Sequence, residues 1–201
     1  MSYLFSLAIC PMNVTSILDL NTLGKGIPAL TQRKAATHME ACVWCFTECG
    51  HGSGVTLSII TDNNGSDSCQ VIWDNRQIEI EALYRAYNKD DAPEQGAEAI
   101  AFLLIREKTN YTAIHRAVTR TGIDYWLGFK EVVNGQIFTL RSGRLEVSGI
   151  LQESPTNKPL YRVKSKLRQT HQSDSTGFPA YVVVVEFSKP LAHISYRNVE
   201  N

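Results

Sequence analysis

The sequence has no excess of charge of either sign and no long hydrophobic run. Lysine plus arginine and aspartate plus glutamate each number 20 among 201 residues, so no overall field indicates a polyanionic partner. A neutral total still permits a locally basic face. No run of eighteen apolar residues is present, so we expect no membrane-spanning helix. Residues 1–10 are apolar but lack a basic start and a small-residue cleavage site, so we interpret them as a strand or tail rather than a signal peptide.

The sequence also lacks a disulfide framework, internal repeats and low-complexity tracts. Its five cysteines are an odd number, which fits a reducing compartment, so we expect a cytoplasmic protein. With 43% hydrophobic and 20% charged residues, the composition is that of an ordinary globular protein. The length suffices for one good-sized core, or for one domain with an appendage.

Residues 1–90 are predicted to form an N-terminal extension made of a helix, a β-hairpin and a second helix. Good helix formers begin at Thr31 and run to a glycine that suits a C-cap. The β-rich stretches 55–60 and 69–74 flank an Asn-Gly turn signal, which predicts the hairpin. Apolar residues at helical spacing in 78–87 predict the second helix.

Residues 91–201 are predicted to fold as helix, three strands, helix and two strands. Pro93 suits the first turn of the first helix, which carries an apolar stripe. The continuous apolar run at 180–187 is typical of a strand covered on both faces. This order predicts an α/β fold: a three-layer α/β/α sandwich around a central mixed sheet.

Two acids, Asp124 and Glu146, interrupt apolar runs on adjacent predicted strands. A carboxylate buried alone costs several kcal/mol unless it is paired or metal-bound, and two that converge raise one another's pKa. A divalent cation removes both problems, and oxygen ligands select Mg²⁺ or Mn²⁺, which can activate water against a phosphodiester. Structural alternatives are that Asp124 caps a turn after Gly122 and that Glu146 pairs with Arg141 or Arg144 across a hairpin.

The element order and the two acids resemble those of the PD-(D/E)XK nuclease superfamily. The resemblance covers roughly residues 92–196 and leaves 1–88 unexplained. It implies a restriction-endonuclease-like core in which Asp124 and Glu146 hold the metal and act in catalysis. It also implies a further acid from the first helix, for which the chain offers Glu94 and Glu98; alternatively, Glu94 favours the helix dipole and Glu98 is a solvated surface residue.

The chain departs from the superfamily pattern at Ser148, where the motif would place a lysine. That lysine normally positions or activates the attacking water. The helix containing RVKSKLRQ can supply a replacement cation, and Gln169 a polar contact. By helical angle, Lys164 lies nearer the apolar stripe than Lys166 does, so we expect Lys164 before Lys166 in this role.

A local excess of basic residues surrounds the proposed site. Such a patch would bind backbone phosphates without recognising the base sequence. A solvated helix face explains the same basic residues nearly as well. One of Tyr125 and Trp126 is expected in the core, which leaves the other to stack on a base. The predicted nucleic-acid contacts are Arg116, Arg120, Arg162 and Arg168.

The first hypothesis is therefore a metal-dependent nuclease that hydrolyses DNA, with restriction or phage defence as its context by analogy. The second is a catalytically degenerate nuclease fold that binds nucleic acid or assembles a complex. The third is a protein-interaction module in which residues 1–88 form the interface of a homodimer or a larger defence complex.

A zinc site is a further alternative, from ligand-type residues at short spacing: His38, Cys42, Cys45, Cys49 and His51.

Overall fold

A computed structural model describes residues 16–62, 65–130 and 140–199 of the chain. The tail or strand predicted at 1–10 lies outside these ranges. So do Asn64 of the predicted hairpin turn and the start, at 136–139, of one predicted strand. In the described ranges, no helix is long and apolar enough to cross a membrane.

The described residues form a mixed α/β fold built on one eight-stranded sheet, which confirms the predicted fold class at that level. The strand order is β1-β3-β2-β8-β7-β6-β5-β4, with parallel and antiparallel neighbours. In chain order the elements are β1 (Ser16–Asp19), α1 (Gln32–Glu48), β2 (Val55–Thr61), β3 (Ser66–Ile72), α2 (Ile80–Ala86), α3 (Ala92–Lys108), β4 (Tyr111–Arg116), β5 (Tyr125–Phe129), β6 (Gly143–Ile150), α4 (Pro159–Gln169), β7 (Ala180–Glu186) and β8 (Leu191–Arg197).

The N-terminal strands belong to the same sheet as the C-terminal ones. Strands β2 and β3 form the predicted antiparallel hairpin, and β2 pairs in parallel with β8, so that Ile59 lies beside Ala192. Helix α1 begins where the sequence predicts, because the Thr31 hydroxyl accepts the Lys34 amide proton at 3.2 Å. Side chains of α1 and α3 share one hydrophobic core with the sheet. Residues 16–90 are therefore integrated with the rest of the fold.

Strand β7 is the middle of a three-layer arrangement. Val183 and Val185 pack into the large core that contains α1 and α3. The alternate residues, Val182 and Val184, pack against Val163 of α4 on the opposite face. The period-2 alternation of a strand thus serves two apolar surfaces, as the continuous apolar run predicts.

Strand β6 and the start of α3 approach each other closely at Gly149. A β-carbon at this position would lie 1.8 Å from the carbonyl oxygen of Pro93, so only glycine fits. This contact brings the first turn of α3 against the C-terminal end of β6. It positions Glu94, the residue after Pro93, beside that strand.

Candidate functional site

Strands β5 and β6 diverge at Asp124. The carboxylates of Asp124 and Glu94 cover the edge of β6 that is left without a strand partner. Asp124 donates its backbone N–H to the Leu145 carbonyl at 2.9 Å, where the pairing of the two strands ends. Further along β6, the amide of Val147 donates to Asp124 Oδ2 at 2.9 Å, and that of Gly149 to Glu94 Oε2 at 3.4 Å. The two carboxylates therefore replace a missing strand and lie side by side along β6.

Glu146 lies on the face of β6 that is covered by α4, and it is only 1% exposed. Its Oε1 accepts hydrogen bonds from Lys166 Nζ at 2.5 Å and from Gln169 Nε2 at 2.9 Å. Its Oε2 is buried and has no hydrogen-bond partner among the described residues. Burial and the nearby charge of Asp124 raise the pKa of Glu146 to about 8, and Lys166 opposes this shift only in part.

Glu94 shares this electrostatic environment. Burial raises its pKa, the charge of Lys166 lowers it, and the charge of Asp124 raises it further. We call Glu94, Asp124, Glu146 and Lys166 the acidic site. With all four groups ionised, three negative charges face one positive charge, which leaves the site two charges negative. Such a cluster attracts a cation or retains protons.

The acidic site is not a complete metal cage as it stands. Within the described ranges, no group of three or more His, Cys, Asp or Glu side chains is arranged to hold a metal ion. The reason is visible in the hydrogen bonds, because Asp124 and Glu94 each place one oxygen on an amide of β6 and Glu146 places one on Lys166. Among the described residues, no donor reaches the buried Oε2 of Glu146.

The sequence predicts Lys164 before Lys166 at the site, whereas the structure places Lys166 there. Lys166 reaches Glu146, whereas Lys164 is exposed. Arg162, Lys166 and Gln169 are spaced four and three residues apart, so they form one stripe of α4 along β6. Arg162 lies 3.5 Å from the Ser148 hydroxyl and thus brings a second cation next to the residue that replaces the motif lysine. Arg168 is exposed on the same helix.

Glu98 lies in a neighbouring buried network, which Arg116 links to Asp124 of the acidic site at 3.8 Å. It is 3% exposed; Arg116 donates to its Oε1 at 2.5 Å and the Tyr125 hydroxyl to its Oε2 at 3.0 Å. His38 Nε2 lies 3.2 Å from the same Oε2, and burial lowers the pKa of His38 to about 4. The expectation of a solvated surface glutamate is therefore wrong, and the network escapes sequence analysis because its members are far apart along the chain.

The cysteine-rich helix packs into the core. Cys42 and Cys45 of α1 are buried among apolar side chains, and burial raises the pKa of both thiols. Burial also raises the pKa of Cys49 to about 11, and its Sγ donates to the Leu151 carbonyl at 3.4 Å. A raised thiol pKa disfavours the thiolate that binds zinc. His38 faces Glu98 instead of these thiols.

The alternative partners proposed for Glu146 have other contacts. Arg144 is buried and pairs with Asp174 at 3.1 Å, and Arg141 lies over the ring of Trp126 at 4.5 Å. Trp126 and Tyr125 are both buried, so the expectation that one of them stacks on a base is not supported.

No protein-family model matches this chain, and no curated protein matches its sequence.

An open cleft of about 380 Å³ borders Asp124. It lies between the β4–β5 loop and the end of α4, and both Arg116 and Arg120 line it. The other two predicted phosphate-binding arginines are not among its lining residues. The four arginines thus divide between this cleft and the surface of α4.

Proposed function

We propose that this chain is a metal-dependent nuclease that hydrolyses DNA phosphodiester bonds at the acidic site. The observation that carries the proposal is the buried Glu146 carboxylate, which lies beside Asp124 and receives Lys166 at 2.5 Å from the neighbouring helix. The order α3-β4-β5-β6-α4-β7 is the one on which the resemblance to PD-(D/E)XK nucleases rests. A restriction-endonuclease-like core in residues 92–196 is therefore part of the proposal.

The donor set of the acidic site suits Mg²⁺ or Mn²⁺. Its oxygens are carboxylates, which such hard cations prefer, and the buried Glu146 Oε2 accepts no hydrogen bond from any residue that the structure describes. Asp124 and Glu146 would hold the ion, and Glu94 would complete the set. When bound, the ion polarises a phosphate oxygen and lowers the pKa of a coordinated water.

The chain's own residues supply the remaining functions. Lys166 brings a positive charge to the reacting phosphate, in the role of the lysine that Ser148 replaces. Gln169 fixes the orientation of the Glu146 carboxylate through its 2.9 Å hydrogen bond. Arg162, beside Ser148, adds a second positive charge on the same side of the site.

DNA is the proposed substrate because cations flank the acidic site on two elements. Arg116 and Arg120 lie on the β4–β5 side, and Arg162 and Arg168 lie on α4. Such cations bind the phosphate backbone without reading its sequence. A role in restriction or phage defence follows only by analogy with the superfamily.

A specific observation favours a second candidate, a degenerate nuclease fold that binds nucleic acid without cutting it. Lys166 and two backbone amides already engage the three carboxylates. In the part of the chain that the structure describes, no three-ligand metal group is formed. The site is thus largely satisfied without a cation, and Ser148 stands where the motif lysine would be.

The deciding experiment is cleavage of linearised plasmid and of linear single-stranded DNA with Mg²⁺ or Mn²⁺. We expect the wild type to cleave, and Glu146→Gln and Asp124→Asn each to lose about 100-fold or more in rate. Calorimetry with Mn²⁺ should give binding heat for the wild type and none for Asp124→Asn. Cleavage by Glu146→Gln at the wild-type rate would contradict the site. Gel shifts without cleavage or Mn²⁺ binding would establish the degenerate fold.

A further inference from the structure

We propose that the cleft beside Asp124 binds the terminal phosphate of a nucleic-acid strand, which would make the protein act at strand ends. We call it the arginine cleft, and its polar lining comprises Arg116, Thr119, Arg120, Asp124, Gln169 and Gln172. The inference deepens the proposed nuclease function, on which its catalytic consequence rests. The binding step itself needs neither metal nor cleavage.

The position and size of the arginine cleft suit one nucleotide. Asp124 belongs both to the cleft and to the acidic site, so a ligand in the cleft lies next to the proposed reacting centre. The volume of about 380 Å³ is near the lower end for small-molecule pockets, roughly 300–1,000 Å³. Gln169 connects the two sites physically, because it lines the cleft and also donates to Glu146.

Arg116 is held in place before any ligand arrives. One of its terminal nitrogens donates to Glu98 at 2.5 Å and to the Tyr125 hydroxyl at 2.6 Å, and its guanidinium lies over the Tyr125 ring at 4.7 Å. The other terminal nitrogen lies 3.8 Å from Asp124, on the cleft side. Glu98 and Tyr125 are therefore positioning residues for Arg116. An arginine oriented in this way loses little entropy when it binds phosphate.

Arg120 adds a second cation on a loop with unused backbone donors. It is exposed, and its φ of 73° makes it the one left-handed non-glycine residue in the described ranges. The backbone N–H groups of 118–123 donate to no backbone acceptor in those ranges. A left-handed residue within such a loop lets successive N–H groups converge on an anion.

The walls of the cleft meet at Gly122, which argues for a strand end. A β-carbon on Gly122 would lie 2.1 Å from the carbonyl oxygen of Gln169, so the loop and the end of α4 are in backbone contact there. The cleft is therefore closed at this point, which favours a ligand that ends in it over one that passes through it. A terminal phosphomonoester also carries nearly two negative charges at pH 7, against one for an internal diester, which suits two arginines better.

The test measures binding of one single-stranded DNA sequence in EDTA, with a 5′-phosphate, a 3′-phosphate or hydroxyls at both ends. We expect one of the phosphorylated forms to bind at least tenfold more tightly than the dihydroxyl form, and inorganic phosphate to compete for that difference. Arg120→Gln should abolish the difference. Arg33→Gln, which removes the same charge from an exposed position on α1, should retain it. The phosphorylated form that binds more tightly shows whether the cleft binds the 5′ or the 3′ end.

A second variant guards against misfolding of the Arg116 network. Arg116→Gln combined with Glu98→Gln removes both charges together, so no unpaired buried carboxylate remains, and it should also abolish the phosphate-dependent gain. Equal affinity of the three oligonucleotides would overturn the inference. Equally fast cleavage of circular and linear strands would overturn it while leaving the nuclease function in place. Phosphate-dependent binding without cleavage would keep the cleft assignment and reject the nuclease.

Discussion

Lys166 and Glu146 lie 2.5 Å apart although one belongs to α4 and the other to the central sheet. The lysine side chain is 17% exposed and the glutamate 1% exposed, so water screens this ion pair poorly. On the other side of Glu146, the charge of Asp124 acts against ionisation. One carboxylate is thus held between an attractive and a repulsive neighbour, and its protonation state is sensitive to changes in either.

Substitution of the two lysines of α4 should separate a catalytic ammonium from a solvated one. We expect Lys166→Met to lower the metal-dependent cleavage rate about 100-fold, because it removes the one ammonium that contacts Glu146 within the described structure. Lys164→Met removes the same charge from an exposed position two residues away and should leave the rate within about threefold. Cleavage of linear DNA at saturating Mg²⁺ measures both, and equal losses would contradict the assignment.

The pKa of Glu146 predicts a pH-dependent stability in metal-free buffer. The folded value of about 8 lies above the ordinary 4.5, so the folded state binds more protons between these values. Stability should therefore fall as pH rises from about 4.5 to about 8, by at most roughly 1.4 kcal/mol per pH unit. Glu146→Gln should remove this slope. Urea unfolding in EDTA from pH 5 to pH 9 measures it, and parallel curves for the two proteins would contradict it.

Several elements could be predicted from the sequence because their signals are local. The start of α1 near Thr31, the hairpin of β2 and β3, and the apolar run of β7 each depend on neighbouring residues only. Asp124 and Glu146 were also recognisable, since a carboxylate within an apolar run is costly wherever the strand lies.

Features set by long-range packing could not be predicted. The parallel pairing of β2 with β8 joins segments more than 130 residues apart and has no local signature. The choice of Lys166 over Lys164 depends on how α4 is rotated against β6, which the apolar stripe fixes only approximately. Glu98 is defined by contacts to His38 and Arg116, neither of which has a spacing that would indicate a network.

Truncation of the two glutamates of α3 should change the free energy of unfolding by different amounts. Glu98→Ala leaves the Tyr125 hydroxyl and the half-exposed Arg116 without their shared acceptor and should lower the free energy of unfolding by about 1–3 kcal/mol. Glu94→Ala loses one 3.4 Å hydrogen bond and relieves a buried charge, so its stability should change by less than about 1 kcal/mol.

Metal binding should show the reverse order for these variants. We expect Glu94→Ala to weaken Mn²⁺ binding at least tenfold and Glu98→Ala, where it remains folded, to bind nearly as the wild type does. Urea unfolding and calorimetry provide the two readouts. A loss of Mn²⁺ affinity confined to Glu98→Ala would move the helix acid of the site from Glu94 to Glu98.

The close contact between β6 and α3 predicts that Gly149→Ala is strongly destabilising. Its β-carbon would lie 1.8 Å from the Pro93 carbonyl oxygen, so the strand and helix must separate, at a cost of about 3 kcal/mol or more. Separation also moves Glu94 away from β6, so Mn²⁺ binding should weaken together with stability. Gly52→Ala is the matched control, because its β-carbon would meet nothing within 4 Å, and it should change stability by less than about 0.5 kcal/mol. Thermal unfolding measures both variants, and a wild-type midpoint for Gly149→Ala would show that this contact does not fix the position of the helix.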